Sequence, residues 1–418
     1  MAHAVRGEVA IDQLGSASVD IFPTLLAREL RAKSVTPMPQ GGSSPARVWQ
    51  VTTRRRVLAV KVLTRRAGVV DGYDIPAFLQ KPEQIKRVHR ELPGLSPFYV
   101  DVLGVWEHST WAAYAMPFVD GTAAVSPQSP PERAADRLGH VFGVLTEHGY
   151  ARTRGSAGDG QLRSLHLGRI RRRLWVLERH LRRELLDGPP LLVNGRSCRP
   201  LGPLMQEVES NAALNRLLRP AVVSYPVHGD LDLGDVLVAA NRPDAFTVID
   251  PHGTRGYRDP VYDFAKALFS MTVLDRSTAS GLRIWRSPDR PGRPTSYLVR
   301  AVDPYRHYPA LAASFVDMLG ALPFGKELSR VDPHWRVRLA FAHGFHSLAE
   351  ASWRLADRSP RSATAAAAAR DPATLATGFC ALGLRLLEQA IAGAREAAAA
   401  LPDVSTGLDD DAVVAWRA

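Results

Sequence analysis

Between Tyr225 and Met271 the chain carries seven aspartates in and around short apolar runs (YPVHGDLDLGDVLVAANRPDAFTVIDPHGTRGYRDPVYDFAKALFSM). Asp230 and Asp235 stand five residues apart across the turn Leu231-Asp232-Leu233-Gly234, and Asp250 follows the run Phe246-Thr247-Val248-Ile249. Carboxylates in this order suit phosphoryl transfer. One orients or deprotonates an attacking hydroxyl, and two more offer hard oxygens to a Mg²⁺ held against a triphosphate whose charge opposes attack. Taken singly, each aspartate is equally well explained as the cap of a turn or helix. The ordered set is what points to chemistry.

Such a set needs elements that bring a cation to it. From Ser34 the pattern reads as strand, Gly-containing turn, strand, turn, strand: Ser34 to Met38, the turn at Gln40 to Ser44, Ala46 to Val51, and Arg56 to Leu63. Glycine permits close backbone approach, so the turn formed by Gly41, Gly42, Ser43 and Ser44 can lie over nucleotide phosphates. Lys61 is a lone charge in the run Val57-Leu58-Ala59-Val60-Lys61-Val62-Leu63. Strand periodicity sends Val60 and Val62 to one face and Lys61 to the other, toward a cleft. Pro82 suits the first turn of a helix over about 82–92. A strand over 98–105 follows, and Trp111 to Gly121 reads as a further strand ending in a linker. Residues 132–222 and those after Met271 read as helical.

His228-Gly229-Asp230 with Asp235, then Ile249-Asp250, then Asp259-Pro260-Val261-Tyr262-Asp263 resembles the aminoglycoside phosphotransferase family, whose fold is shared with protein kinases. The resemblance covers roughly 34–120 and 224–275. It implies an α+β, two-lobed protein-kinase-like fold: a small β-sheet lobe and a large, mainly helical lobe. It also implies roles. Asp230 would be the catalytic base, and Asp235 and Asp250 the Mg²⁺ ligands. Lys61 would bind the α- and β-phosphates, held by a glutamate on the next helix, Glu83 with Glu91 as the alternative. The Gly41–Ser44 turn would cover the phosphates, backbone near Met116 would meet the purine, and His228 and Asp263 would support the catalytic loop. Two positions depart from the family pattern: Asp235 stands where Asn is usual, and Pro251 where an aromatic residue is usual. Aspartate remains a hard oxygen ligand, with one more negative charge at the site.

The 418 residues suffice for one two-lobed unit, and 45% hydrophobic with 23% charged residues is ordinary globular composition. Cys198 and Cys380 are the only cysteines, a reduced profile without a zinc motif that suits the cytoplasm. The first residues lack the apolar core of a signal peptide, and no run is expected to approach the eighteen apolar residues a membrane span needs. A net charge of +11 favours anionic partners. Twelve arginines face four acids between 151 and 200. On the helix around 168–186, Ile170, Leu174, Leu177 and Leu181 share one face, leaving Arg171, Arg172, Arg179, Arg182 and Arg183 on others. That is a solvated face or a dock for an anionic partner. No aromatic interleaving or base-reading motif supports nucleic acid.

The expectation is transfer of the γ-phosphoryl group of ATP or GTP, with Mg²⁺, to a hydroxyl of a small molecule such as an antibiotic, sugar or other metabolite. The alternative acceptor is Ser or Thr of an acidic precursor peptide in natural-product maturation, and a non-catalytic pseudokinase is a third reading. The divisions expected are an N-terminal nucleotide-binding lobe over 1–118, a helical catalytic and acceptor-binding lobe over 119–405 with the basic insert at about 151–200, and a tail over 406–418.

Overall fold

The computed structural model describes residues 21–38, 46–64, 74–126, 129–155, 163–239, 245–254, 256–302, 307–356 and 371–396. Its strands are β1 (Ser34–Pro37), β2 (Arg47–Thr52), β3 (Val57–Thr64), β4 (Gly104–Glu107), β5 (Trp111–Pro117), β6 (Gly121–Ala123), β7 (Arg154–Gly155), β8 (Leu191–Val193), β9 (Arg196–Cys198), β10 (Val223–Ser224), β11 (Val236–Ala239), β12 (Phe246–Val248), β13 (Leu282–Arg286) and β14 (Ser296–Ala301). The helices are α1 (Ile21–Glu29), α2 (Ile75–Glu91), α3 (Pro131–Leu145), α4 (Gly168–His180), α5 (Arg183–Leu186), α6 (Leu201–Ser210), α7 (Ala212–Leu217), α8 (Val261–Phe269), α9 (Asp275–Ser280), α10 (His307–Ala321), α11 (Pro323–Val331), α12 (Trp335–Ala356) and α13 (Pro372–Glu396). The fold is α+β: a small sheet lobe followed by a larger, mainly helical one.

The small lobe is an antiparallel sheet in the order β1-β2-β3-β5-β4. Alternation along β3 and β5 divides its faces. Val60, Val62, Ala113 and Ala115 pack against Phe22 and Leu26 of α1, whereas Leu63, Tyr114 and Met116 join the core beneath α2. Lys61, in register with Tyr114, lies on this second face.

Helix α2 begins at Ile75, seven residues before the start expected at Pro82. The Asp74 carboxylate accepts from Ala77 N at 2.7 Å and Pro76 fills the first turn, so a complete start signal lies upstream. Pro82 sits buried inside the helix, where tertiary packing outweighs the lost backbone bond. The strand expected over 98–105 also begins later, at Gly104. Tyr99 instead bridges Val248, and Val100 N donates to Val248 O at 3.1 Å, tying the small lobe to β12.

β6 is a strand rather than a linker and pairs with β11, which pairs with β12. The β11–β12 register, Val236 opposite Val248, brings the residues just outside the hairpin together, and Ile249 N donates to Asp235 O at 2.9 Å. Two stretches read as helical hold a four-stranded sheet, β13-β14-β8-β9. Asn194-Gly195, with φ of 48° and 75°, turns β8 into β9, and Leu282-Arg283-Ile284-Trp285-Arg286 alternates with the two-residue period of a strand.

One helix among the described residues, Pro372–Arg395, is long and apolar enough to cross a membrane. Most of it is buried against the rest of the lobe, with Ser347 Oγ of α12 donating to Phe379 O at 2.8 Å. Arg385 and Glu388 interrupt its apolar run.

Candidate active site

Lys61 is 6% exposed and its ammonium makes an ion pair with Asp250 Oδ2 across the cleft between the lobes. A second lysine joins it. Lys81 Nζ of α2 lies 2.7 Å from Asp250 Oδ1, and Tyr114 OH donates to the same oxygen at 3.3 Å. Burial opposes ionisation of Asp250, but Lys61 and then Lys81 override it and hold the carboxyl far below the usual carboxylate range. Burial, with repulsion from Lys81, lowers Lys61 against the pull of Asp250. Asp250 itself has φ 52°, the left-handed region that non-glycine residues seldom occupy and that recurs at functional sites.

Glu83 does not meet Lys61. It is exposed and pairs with Lys86 Nζ at 2.8 Å. Glu91 is likewise on the surface, 2.8 Å from Arg87 Nε and 2.9 Å from Arg90 Nη2. The cause is helix phase. Residues 81 and 83 are about 200° apart around the axis, so with Lys81 turned inward Glu83 must turn outward. Expecting the helix to start at Pro82 concealed Lys81. Gln84, one turn on, is 1% exposed and clamps three segments: its amide donates to Val227 O at 2.9 Å, and its carbonyl accepts from Gly253 N at 2.8 Å and Thr254 N at 2.7 Å.

The loop around Asp230 is braced from two sides. His228 Nδ1 accepts from Asp230 N at 3.3 Å, so its Nε2 donates to Ile249 O at 2.9 Å. Asp263, fully buried at the start of α8, accepts from Gly229 N at 2.7 Å and from Tyr150 OH at 2.7 Å. Gly229, at φ 82°, makes the turn. Asp230 Oδ1 lies 2.9 Å from Lys266 Nζ, which also reaches Asp232 Oδ1 at 3.4 Å, and Ser270 Oγ donates to Asp232 Oδ1 at 3.0 Å. Burial disfavours the Asp230 carboxylate, but Lys266, His252 and Arg169 hold it well below the usual range, so Asp230 is ionised and able to accept a proton. Lys266 was legible as the one cation in α8, a mostly apolar helix that also holds Asp263.

Asp235 faces like charges. Burial, then Asp250, Asp232 and Asp230, push its carboxyl well above the usual range. Such crowding of hard oxygens fits a divalent cation. No group of three His, Cys, Asp or Glu that could hold a metal occurs among the described residues. Mg²⁺, however, is commonly held by one or two carboxylates together with phosphate oxygens, which Asp235 and Asp250 satisfy.

Met116 lies near the end of β5 opposite Ala59, with its side chain buried. Gly41, Gly42, Ser43 and Ser44 fall outside the described residues. Of the basic insert, Arg173 is buried with its guanidinium 4.3 Å from the Trp353 ring, and Arg171 pairs with Glu209. Arg172, Arg179, Arg182 and Arg183 are exposed. Arg169 turns toward the site, its Nη1 donating to Tyr262 OH at 3.1 Å.

Comparison with known proteins bears on this arrangement. No curated protein matches the chain. Among solved structures, Plasmodium vivax ethanolamine kinase is similar at 12% identity and a TM-score of 0.47, over 86% of this chain and 85% of its own. An aminoglycoside phosphotransferase of Streptomyces rimosus has 16% identity and a TM-score of 0.42, over 76% and 97%. An aminoglycoside-3'-phosphotransferase of type VIII has 18% identity and a TM-score of 0.43, over 76% and 100%. The model of the phosphotransferase enzyme family matches residues 35–294, a span that holds Lys61, Asp230, Asp235, Asp250 and Asp263. That match takes in well over half of the chain, and the chain belongs to this family, as a phosphotransferase acting on hydroxyl groups.

Proposed function

We propose that the protein transfers the γ-phosphoryl group of ATP or GTP, with Mg²⁺, to a hydroxyl of a small molecule. The observation that carries this reading is the convergence of Lys61 and Lys81 from the small lobe on Asp250, beside the loop that holds Asp230 and Asp235. Lys61 and Lys81 would bind phosphate oxygens, the Gly41–Ser44 turn would cover them, and backbone near Met116 would meet the base. Asp235 and Asp250 would hold Mg²⁺, which when bound supplies positive charge against the triphosphate. Asp230, kept ionised, would orient the acceptor hydroxyl and take its proton. His228 and Asp263 would hold its loop. Catalysis of this kind is positioning and charge neutralisation.

Asp230→Asn tests the reading. Nucleotide binding, measured by calorimetry, should persist within a few-fold, while phosphoryl transfer falls by about 10² or more. Undiminished turnover would remove Asp230 from its role.

A second acceptor, Ser or Thr of an acidic peptide, is favoured by one observation: Arg179, Arg182 and Arg183 stand exposed at the end of α4 and start of α5. A salt-sensitive complex with an acidic peptide that is lost when these three are neutralised would support it.

A further inference from the structure

One face of α8 is turned to the loop that carries Asp230. Asp263, Lys266 and Ser270 stand at i, i+3 and i+7 in a stretch that is mostly apolar (VYDFAKALFSMTVL, 261–274), the spacing of neighbours along one helix face. Asp263 accepts from Gly229 N at 2.7 Å, Lys266 Nζ lies 2.9 Å from Asp230 Oδ1 and 3.4 Å from Asp232 Oδ1, and Ser270 Oγ donates to Asp232 Oδ1 at 3.0 Å. Successive turns thus hold Gly229, Asp230 and Asp232 in order. Asp263 already has a task in the proposed reaction, and Lys266 has none. Lys266 is enclosed, at 4% exposure, whereas the Asp230 side chain keeps 29% of its surface open. Burial opposes the lysine's charge, but Asp230 and then Asp232 raise its pKa well above the usual lysine range, so it is an ammonium at neutral pH. Among the described residues Lys266 is the one side chain within ion-pair distance of the Asp230 carboxylate, and it takes Oδ1. The terminal torsion of an aspartate is broad when nothing holds it, so a tether on one oxygen decides where the other points.

We propose that Lys266 is the positioning residue for Asp230: by tethering Oδ1 it fixes the carboxylate plane and presents Oδ2 to the acceptor hydroxyl. The inference rests on the phosphotransferase reading. In the transfer the acceptor oxygen bonds to the γ-phosphorus as the bond to the β,γ-bridging oxygen breaks. The electron pair leaves with the nucleoside diphosphate, and the hydroxyl proton passes to Asp230 Oδ2. Lys266 gives up no proton and acts through Asp230. An ion pair that served folding alone could be exchanged for uncharged side chains without loss of rate, whereas a tether on the base could not.

The full chain is assayed with γ-labelled ATP and Mg²⁺, with water and a panel of sugars, hydroxy acids and aminoglycosides as acceptors. In Lys266→Met, kcat should fall about 10²-fold while KM for ATP moves less than about three-fold, and Lys266→Arg should recover about ten-fold of the loss. Because Lys266 acts through Asp230, adding Lys266→Met to Asp230→Asn should slow transfer no further. Lys266→Met leaves two carboxylates without their cation, so it is also made in Asp232→Asn, where one of those charges is gone. There the melting temperature should return toward that of the parent chain and kcat should not. Unchanged kcat, losses that multiply in the Asp230→Asn background, or kcat restored together with the melting temperature overturns the proposal. A parent chain that transfers phosphate to no acceptor, water included, is a separate result: it removes the phosphotransferase reading, and the proposal with it, before any variant is made.

Discussion

At the scale of single residues, the site is governed by which charge faces which. Lys61 and Lys81 both spend their charge on Asp250, one on each oxygen. A triphosphate entering the cleft presents the same ammonium groups with oxygens of higher charge, so both lysines belong to nucleotide binding in this reading. Lys81→Ala is therefore expected to raise the KM for nucleotide about ten-fold, the scale of one charge-assisted hydrogen bond. Steady-state kinetics at varied ATP checks it, and an unchanged KM would return Lys81 to a structural role. Glu83→Ala should change kcat/KM less than two-fold and stability by under about 0.5 kcal/mol, because its partner is the exposed Lys86. A large loss of activity there would show that Glu83 reaches Lys61 after all.

At the scale of elements, α2 and the loop after Asp250 behave as one piece. Gln84 satisfies Val227 O, Gly253 N and Thr254 N from a fully enclosed position. Gln84→Leu would strand Gly253 N and Thr254 N away from water, at a cost of about 2–3 kcal/mol that chemical denaturation would read directly, whereas Val227 O keeps the Thr254 hydroxyl at 3.2 Å. Gly253, at φ 88°, has no room for a side chain: a Cβ would sit 2.9 Å from Gln80 Cβ and 3.0 Å from Lys81 N. Gly253→Ala must push α2 outward, carrying Lys81 from Asp250. Nucleotide affinity should fall together with stability in that variant, whereas Gly292→Ala, with open space around it, should lose stability from backbone strain alone. If affinity survived in Gly253→Ala, the coupling of helix to loop would be wrong.

At the scale of the whole molecule, the large lobe is closed around histidines that are neutral because they are buried. His343 is held near 3 by burial and sits 2.6 Å from Thr272 Oγ1. His166 is also held to about 3, by burial and then Arg169 and Arg258, and stacks on Tyr262 at 5.1 Å. Unfolding returns such groups to a pKa of about 6.5, so the unfolded chain binds the protons first. Their contribution is complete above that value and is lost as pH falls from about 6.5 toward 3, at up to about 1.4 kcal/mol per pH unit for each histidine. Asp232 and Asp275, raised to about 7 chiefly by burial, act in the opposite sense over the same window, so the histidine share is read by difference: His343→Gln should lose less melting temperature than the parent chain as pH falls from 7 to 5. A pH profile unchanged by His343→Gln would contradict neutral burial of that ring.

What the chain's order of residues determined by itself is the part set by short-range chemistry. The alternation around Lys61 chose its face, and the family resemblance carried by the residues from His228 to Asp263 implied two lobes and a catalytic loop with its braces. Lys266 was visible as the one cation in a mostly apolar helix. Tertiary structure alone decided the rest. The β11–β12 register set Asp235 beside Ile249, the phase of α2 turned Lys81 inward and Glu83 outward, and the fold of the basic insert carried Arg169 back to Tyr262. The physical reason is that local patterning selects a side chain's element and face. Which groups meet across a cleft depends on helix starts and strand registers, and an error of one residue there rotates or inverts every contact.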